Sequence, residues 1–300
     1  MQKQFTRYWK PITAVVFWGV SFIATKVALD ELDPLTIIFL RLILAVIFLA
    51  AIAVYTKRDF SLNLKNHGGI FILALIAVFH LWIQVTGLQY TTAAKTGWII
   101  GTAPVFMALL GVLAFNESLT FLKITGIIIA FFGLILLISN GSFASINIIS
   151  NKGDFLILGS AFTWAVYSAV NKKITLSYPP MMTIFFLFLM MGIIISPFTI
   201  NNTSIESVLH LSAIGWVSIF FLGILCSGAA YVIWASALKE MESAKVGAFL
   251  YFEPFITIIA AWIILNEEIT LLMILAGLII TIGVVLVNLN LKTLWKKRTV

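Results

Sequence analysis

The chain consists of long apolar runs separated by short polar stretches, from one end to the other. A helix needs ~20 mostly apolar residues to cross a hydrocarbon core about 30 Å thick. Ten stretches reach that length: residues 11–29, 34–56, 68–89, 92–114 and 121–139, then 154–172, 180–200, 211–238, 243–265 and 270–290. Composition agrees, since 61% of the residues are apolar and only 10% are charged, against roughly a quarter charged in soluble domains. The expected fold is all-α and integral to the membrane, with ten transmembrane helices and the lipid bilayer as a partner.

The net charge of +7 does not point to nucleic acid, because the basic residues form no stripe interleaved with aromatics. They sit in short loops, where they act as topology signals. Placing the N-terminus inside puts Lys3, Arg7, Lys10, Lys57, Arg58, Lys65, Lys123, Lys172, Lys173 and Lys239 on the cytoplasmic side. The basic tail at 291–300 joins them, and the opposite side keeps Lys152 and acidic loops such as Asp30-Glu31-Leu32-Asp33. Both termini are therefore expected in the cytoplasm, and a bacterial plasma membrane is the expected location. The first apolar stretch follows Lys3, Arg7 and Lys10 as a signal peptide would, but no small-residue cleavage site follows it and Trp18 and Lys26 interrupt it. It reads as a retained span. The lone Cys226 allows no internal disulfide and reads as a small buried residue.

The chain also carries an internal duplication. AAKTGWIIGTAPVFMALLGVLAFNESLT from Ala93 aligns with SAKVGAFLYFEPFITIIAAWIILNEEIT from Ser243 at a constant offset of 150 residues. The coincident residues include Lys95/Lys245, Gly97/Gly247, Pro104/Pro254, Asn116/Asn266, Glu117/Glu267 and Thr120/Thr270, and Gly133/Gly283 extends the match. Shared apolar letters would mean little in a membrane chain, but shared Lys, Pro, Asn and Glu do not arise cheaply. Five spans per half is an odd number, so the second half enters the membrane inverted relative to the first. That is the plan by which a transporter exposes one site alternately to each side. The halves are placed at 11–140 and 151–290.

Further motifs support a family resemblance. FWGVSFIATKVALDELDPLTIIFLRLILAVIFL from Phe17 resembles the opening of an EamA domain, and NKGDFLILGSAFTWAVYSAVNKK from Asn151 resembles the start of a second. A Pro followed thirteen residues later by Glu occurs twice, as Pro104…Glu117 and Pro254…Glu267, the second beginning with the Glu253-Pro254 pair. The chain thus resembles the EamA-type members of the drug/metabolite transporter superfamily over nearly its whole length. The resemblance implies a ten-helix carrier with a cavity between two EamA-like repeats, moving amino acids, amines or other metabolites, often outward.

Polar residues inside apolar spans are costly and mark interiors or pathways. Residues four apart share one face of a helix, which groups Trp18, Ser21 and Thr25; His80 and Gln84; Trp98 and Thr102; Trp164, Tyr167, Ser168 and Asn171; and Ser227, Tyr231 and Trp234. Each stripe alone is explained equally by helix–helix contact. Of these, Trp18, Ser21, His80, Gln84, Trp98, Thr102, Trp164, Tyr167, Asn171, Tyr231 and Trp234, together with Tyr251 and Glu253, form the expected substrate-binding set, and the stripes suggest an aromatic-lined cavity suited to an amphipathic or cationic small molecule. Glu253 faces the interior, paired or protonated, or anchors a helix by a hydrogen bond. Pro104 and Pro254 remove backbone donors and are expected to kink their helices. Glu117 and Glu267 are expected to cap the helices that follow, near Thr120 and Thr270. Lys26, Lys95 and Lys245 snorkel to water or guard the two mouths, and Arg41 pairs locally with carbonyls or with Asp30, Glu31 or Asp33.

No metal-ligand spacing, phosphate loop, dinucleotide fingerprint or nucleophile elbow is readable, so neither a metal, a cofactor nor enzyme activity is expected. The leading reading is a secondary transporter or facilitator for a small organic metabolite, with a proton as candidate coupling ion and a passive carrier fitting as well. The alternatives are a membrane-embedded sensor or enzyme, or a channel.

Overall fold

A computed structural model describes residues 2–60, 64–116, 118–142, 151–174, 176, 178–241 and 246–288. Its helices are α1 (Gln2–Ala28), α2 (Pro34–Tyr55), α3 (Leu64–Leu88), α4 (Ala93–Ile100), α5 (Ala103–Phe115), α6 (Phe121–Ile138) and α7 (Lys152–Lys173). They continue as α8 (Pro180–Thr199), α9 (Asn202–Leu209), α10 (Ala213–Phe220), α11 (Ala230–Glu240), α12 (Glu253–Leu265) and α13 (Leu271–Asn288). A π-helical segment, Phe221–Ala229, joins α10 to α11, and a 3₁₀ segment, Ala248–Phe252, leads into α12. Among the described residues nine helices are long and apolar enough to cross a membrane, and Phe249–Leu265 forms a shorter tenth. The expected all-α, ten-span architecture is thus observed, with α9 as an extra short helix in what reads as a loop. Lys245, Glu117 and the tail at 291–300 lie outside the described residues.

Local chemistry sets the helix ends. Asp33 caps α2 by accepting from the Leu35 and Thr36 amides, and Pro34 fills the first helical position, where no donor is needed. Asn116 and Asn266, equivalent in the repeat, end α5 and α12 with φ of 52° and 53°. Asn tolerates this left-handed conformation better than most residues. Thr120 and Thr270 accept from the Lys123 and Met273 amides and so cap α6 and α13.

The fourth span is broken between α4 and α5 before Pro104, and the ninth changes from 3₁₀ to α before Pro254. The repeat therefore places one discontinuity in each half at equivalent positions. Irregular backbone at membrane depth is tolerated only where protein or a wet cavity covers it.

Packing follows the inversion. α1 lies along α11 and α12, while its counterpart α7 lies along α3 and the α4/α5 pair. The second span packs on the seventh, the fourth on the ninth and the fifth on the tenth. The α6–α13 seam is the most intimate. A Cβ on Gly126 would lie 2.6 Å from the Gly283 carbonyl oxygen, and one on Gly133 would lie 2.9 Å from that of Ala276. Numbering rises along one helix as it falls along the other, so the pair is antiparallel. Gly126 corresponds to Ala276 and Gly133 to Gly283 in the repeat, so the two contacts are one contact seen from both halves. Without a hydrophobic drive between helices in lipid, small residues of this kind let backbones approach closely enough to associate. Ile47, Val54, Ile128, Ile193, Val217 and Ile282 point outward and are exposed, as a lipid-facing belt requires.

Candidate functional site

The aromatic stripes of four spans form two groups in the interior, with Tyr167 of one within electrostatic reach of Tyr231 of the other. The Trp18 ring lies 5.4 Å from Tyr231 and 5.1 Å from Trp234, and Tyr231 meets Phe188 of α8 at 5.4 Å. On the facing side Trp164 stacks on Tyr167 at 5.2 Å and tilts against His80 at 5.3 Å. The Trp18 indole donates to the Cys226 carbonyl at 3.1 Å, inside the π segment. His80 Nδ1 lies 3.0 Å from the Ser160 carbonyl, and Gln84 donates to the Ser160 hydroxyl at 3.3 Å. His80 is buried, whereas Trp18, Ser21, Gln84, Trp164, Tyr167, Tyr231, Trp234 and Glu253 are all half-buried. Both halves contribute: α1 and α3 from the first, α7, α11 and α12 from the second. Among the described residues the Glu253 side chain makes no hydrogen bond, while it acts electrostatically on Tyr231.

Other residues of the expected set lie elsewhere. Trp98 is 2% exposed, wedged between Phe255 at 5.1 Å and Gly277, where an added Cβ would lie 2.0 Å from the indole. It fills the α4–α13 crossing, which only a glycine opposite permits. Thr102 donates to the Ile99 carbonyl at 2.6 Å, inside the helix break. Tyr251 packs on the apolar cluster of α1, α4, α6 and α13, and Asn171 is exposed at the end of α7. Pro104 and Ser168 line a cleft of about 250 Å³ between α5, α7 and the end of α13, with Lys172 and Asn288.

Arg41 departs from its sequence reading. It does not pair with the loop carboxylates: Asp33 is taken by the α2 amides, Glu31 by the Ser212 amide at 2.7 Å and hydroxyl at 2.6 Å, and Asp30 is exposed and acts on Lys26. The side-chain and backbone hydrogen bonds of Ser212, in that order, hold the Glu31 carboxyl below its ordinary range. Arg41 instead turns inward, and its Nε donates to Ser227 Oγ in the π segment at 3.1 Å. It stands within electrostatic reach of Cys226, Tyr231 and His80.

A second polar group ties the halves at one face. Lys95 pairs with Asp154 at 3.2 Å, and the Thr91 hydroxyl donates to the same carboxylate. Lys26 donates to the Leu88 and Thr91 carbonyls, both at 2.7 Å. Glu267 accepts from the Ala93 and Ala94 amides at 2.7 and 2.9 Å, so it caps α4 of the other half rather than the helix that follows it. The reason is supply: Thr270 already serves α13, while Thr92 reaches only the Lys95 amide and leaves the first two donors of α4 open. Asp154 was not singled out by sequence; its signal is an acid at the start of an apolar span. On the other face Lys10 pairs with Glu240 and donates to Ser236 at 2.9 Å.

Two inverted sets of five helices around a polar, aromatic interior define a membrane transporter of the inverted-repeat class. Comparison with known proteins gives the family. Residues 9–139 and again 151–289 match the EamA-like transporter family, and the chain belongs to it. An "Uncharacterized transporter" of Archaeoglobus fulgidus is 32% identical, over 91% of this chain and 93% of its own. A "Probable amino-acid metabolite efflux pump" of Escherichia coli is 26% identical, over 95% of both chains. A solved crystal structure 15% identical superposes with a TM-score of 0.65, covering 95% of this chain and 98% of its own. The protein is a multi-pass membrane transporter.

Proposed function

We propose that the protein is a secondary carrier or facilitator that exports a small organic metabolite, an amino acid, amine or related amphipathic compound, by alternating access across a bacterial plasma membrane. The observation that carries this reading is the meeting of Trp18 and His80 from one half with Trp164, Tyr167, Tyr231 and Trp234 from the other. A site built from both halves changes its exposure when they rock against each other, and inverted repeats supply two related openings. Aromatic walls bind apolar side chains and cations by stacking and cation–π contact. The name of the Escherichia coli relative favours amino-acid cargo and outward direction, and the Lys and Arg bias of the loops favours cytoplasmic termini.

The test is expression in a bacterial host with metabolites measured in the medium against an empty-vector control. A small set of amino-acid-like compounds should be enriched outside, and Trp164→Ala at equal expression should lose that enrichment. Enrichment that survives Trp164→Ala would remove the aromatic cluster from cargo binding. Glu253 is the candidate proton carrier: Glu253→Gln should abolish the pH dependence of transport, and a variant that kept full pH-dependent transport would remove Glu253 from that role.

A further inference from the structure

We propose that Arg41 is the anion anchor of the transport site and that it binds the carboxylate of the cargo, with Ser227 holding its guanidinium in place. This rests on the transport reading above and adds the group the cargo must carry.

Charge at membrane depth is costly. A guanidinium stays charged in proteins, and a charge within a span is retained only against a partner or a polar pathway. Among the described residues the ion pairs are Lys10–Glu240 and Lys95–Asp154, and neither involves Arg41. Asp33 and Glu31 are committed to helix ends, as described. Arginine has five N–H donors, and the single bond observed here uses Nε, toward Ser227. The fork of Nη donors is left over. Those Nη atoms are not sealed in protein either: among the described residues the sealed and unpartnered side-chain atoms are Thr86 Oγ1 and Trp98 Nε1. Arg41 is half-buried, so its fork is not fully enclosed by protein, and Tyr231 and His80 lie within its electrostatic reach.

Second, the backbone around its partner is shaped for this contact. Ser227 belongs to the π segment, and π turns inside α-helices occur frequently at functional sites. Gly223 in the same segment lets α2 approach, since a Cβ there would lie 3.1 Å from the Arg41 carbonyl oxygen. Cys226 of this segment also receives the Trp18 indole, so one irregular turn positions both the cation and an aromatic wall.

Third, the charge inventory selects the anion. A single arginine suits a singly charged planar carboxylate, which the guanidinium fork grips in two parallel bonds. Glu253 across the cluster, also acting on Tyr231, disfavours a doubly charged phosphate and offers a contact for a cationic group on the same cargo.

The test measures binding separately from transport. Full-length protein in detergent would be heated with free amino and hydroxy acids, each paired with its amide, in which the carboxylate is replaced by a neutral group. Carboxylates should raise the melting temperature of the wild type and their amides should not. Arg41→Gln should weaken carboxylate binding by about 100-fold and Arg41→Lys, which cannot grip bidentately, by about tenfold. Ser227→Ala, which leaves the charge in place, should weaken it less and keeps the test informative if Arg41→Gln folds poorly. Equal stabilisation of the wild type by acids and amides, no stabilisation by any acid, or undiminished binding in Arg41→Lys and Ser227→Ala overturns the proposal. An acid that binds through Arg41 but is not moved into or out of proteoliposomes would support the anchor and overturn the transport reading for that compound.

Discussion

Several single side chains in this protein act across long sequence distances. Glu31 holds Ser212, Glu267 holds Ala93 and Ala94, Asp154 holds Lys95, and Arg41 holds Ser227. Helical periodicity shows which face such a residue occupies, but not what stands opposite it in the other half. That is why Trp18, His80, Trp164, Tyr167, Tyr231 and Trp234 were legible as an inward set, whereas the inward turn of Arg41 and the cross-half role of Glu267 were not. Trp98 shows the converse: its stripe has the same periodicity, yet it fills a crossing opposite Gly277. The Glu31 contact gives a prediction of its own. Its carboxyl is held below its ordinary range by Ser212, so its stabilising contribution is complete above the unfolded-state value and lost as pH falls through the folded one. Melting temperature recorded across the acid range should therefore fall further in the wild type than in Glu31→Gln, the two converging at low pH. Parallel curves would assign the acid sensitivity to other carboxylates.

At the scale of elements, helix positions were legible because lipid allows little else: a span must be long and apolar, and Asp33-Pro34 and the two Asn-Glu pairs punctuate it. The interruption of the eighth span by a π segment was not legible, since FLGILCSGA is as apolar as any helix. Glycines divide by what faces them. Gly133 meets backbone of α13, whereas Gly159 of α7 has only Ile83 Cδ1 at 3.7 Å and Gly192 of α8 has nothing within 4 Å. Gly159→Ala and Gly192→Ala should raise stability by about 0.5–1 kcal/mol through helix propensity. Gly133→Ala, pressed on backbone that cannot yield, should lower it. Thermal unfolding of the three variants in one detergent checks the ranking, and a stabilised Gly133→Ala would mean the α6–α13 seam is looser than described.

For the whole molecule, the duplication is the most informative reading, because it predicts two inverted halves; the structure then packs equivalent spans together, the fifth on the tenth, the fourth on the ninth and the second on the seventh. Alternation of the two halves, however, requires the Thr91–Asp154, Lys95–Asp154 and Glu267–α4 ties to break in every cycle. Thr91 and Asp154 are short side chains in direct contact, and the backbones beside them are close, an added Cβ at Gly153 falling 2.8 Å from the Thr91 amide nitrogen, which makes the pair a candidate for a disulfide. With Cys226→Ser to remove the native thiol, Thr91→Cys/Asp154→Cys should lose transport on oxidation and regain it on reduction. Unchanged transport by the oxidised form would show that this face stays shut throughout.

The α6–α13 seam has one more implication. Its contacts are the same whichever half they are viewed from, the property that distinguishes a self-complementary dimer interface. A lone five-helix half thus carries a surface fitted to its own twin, and the twin could meet it only while lying upside down in the bilayer. Expressed without its sequel, the first half would keep Lys3, Arg7, Lys10, Lys57, Arg58, Lys65 and Lys123 on one side and so insert one way up; the inverted partner that its seam fits is supplied by the second half of the same chain.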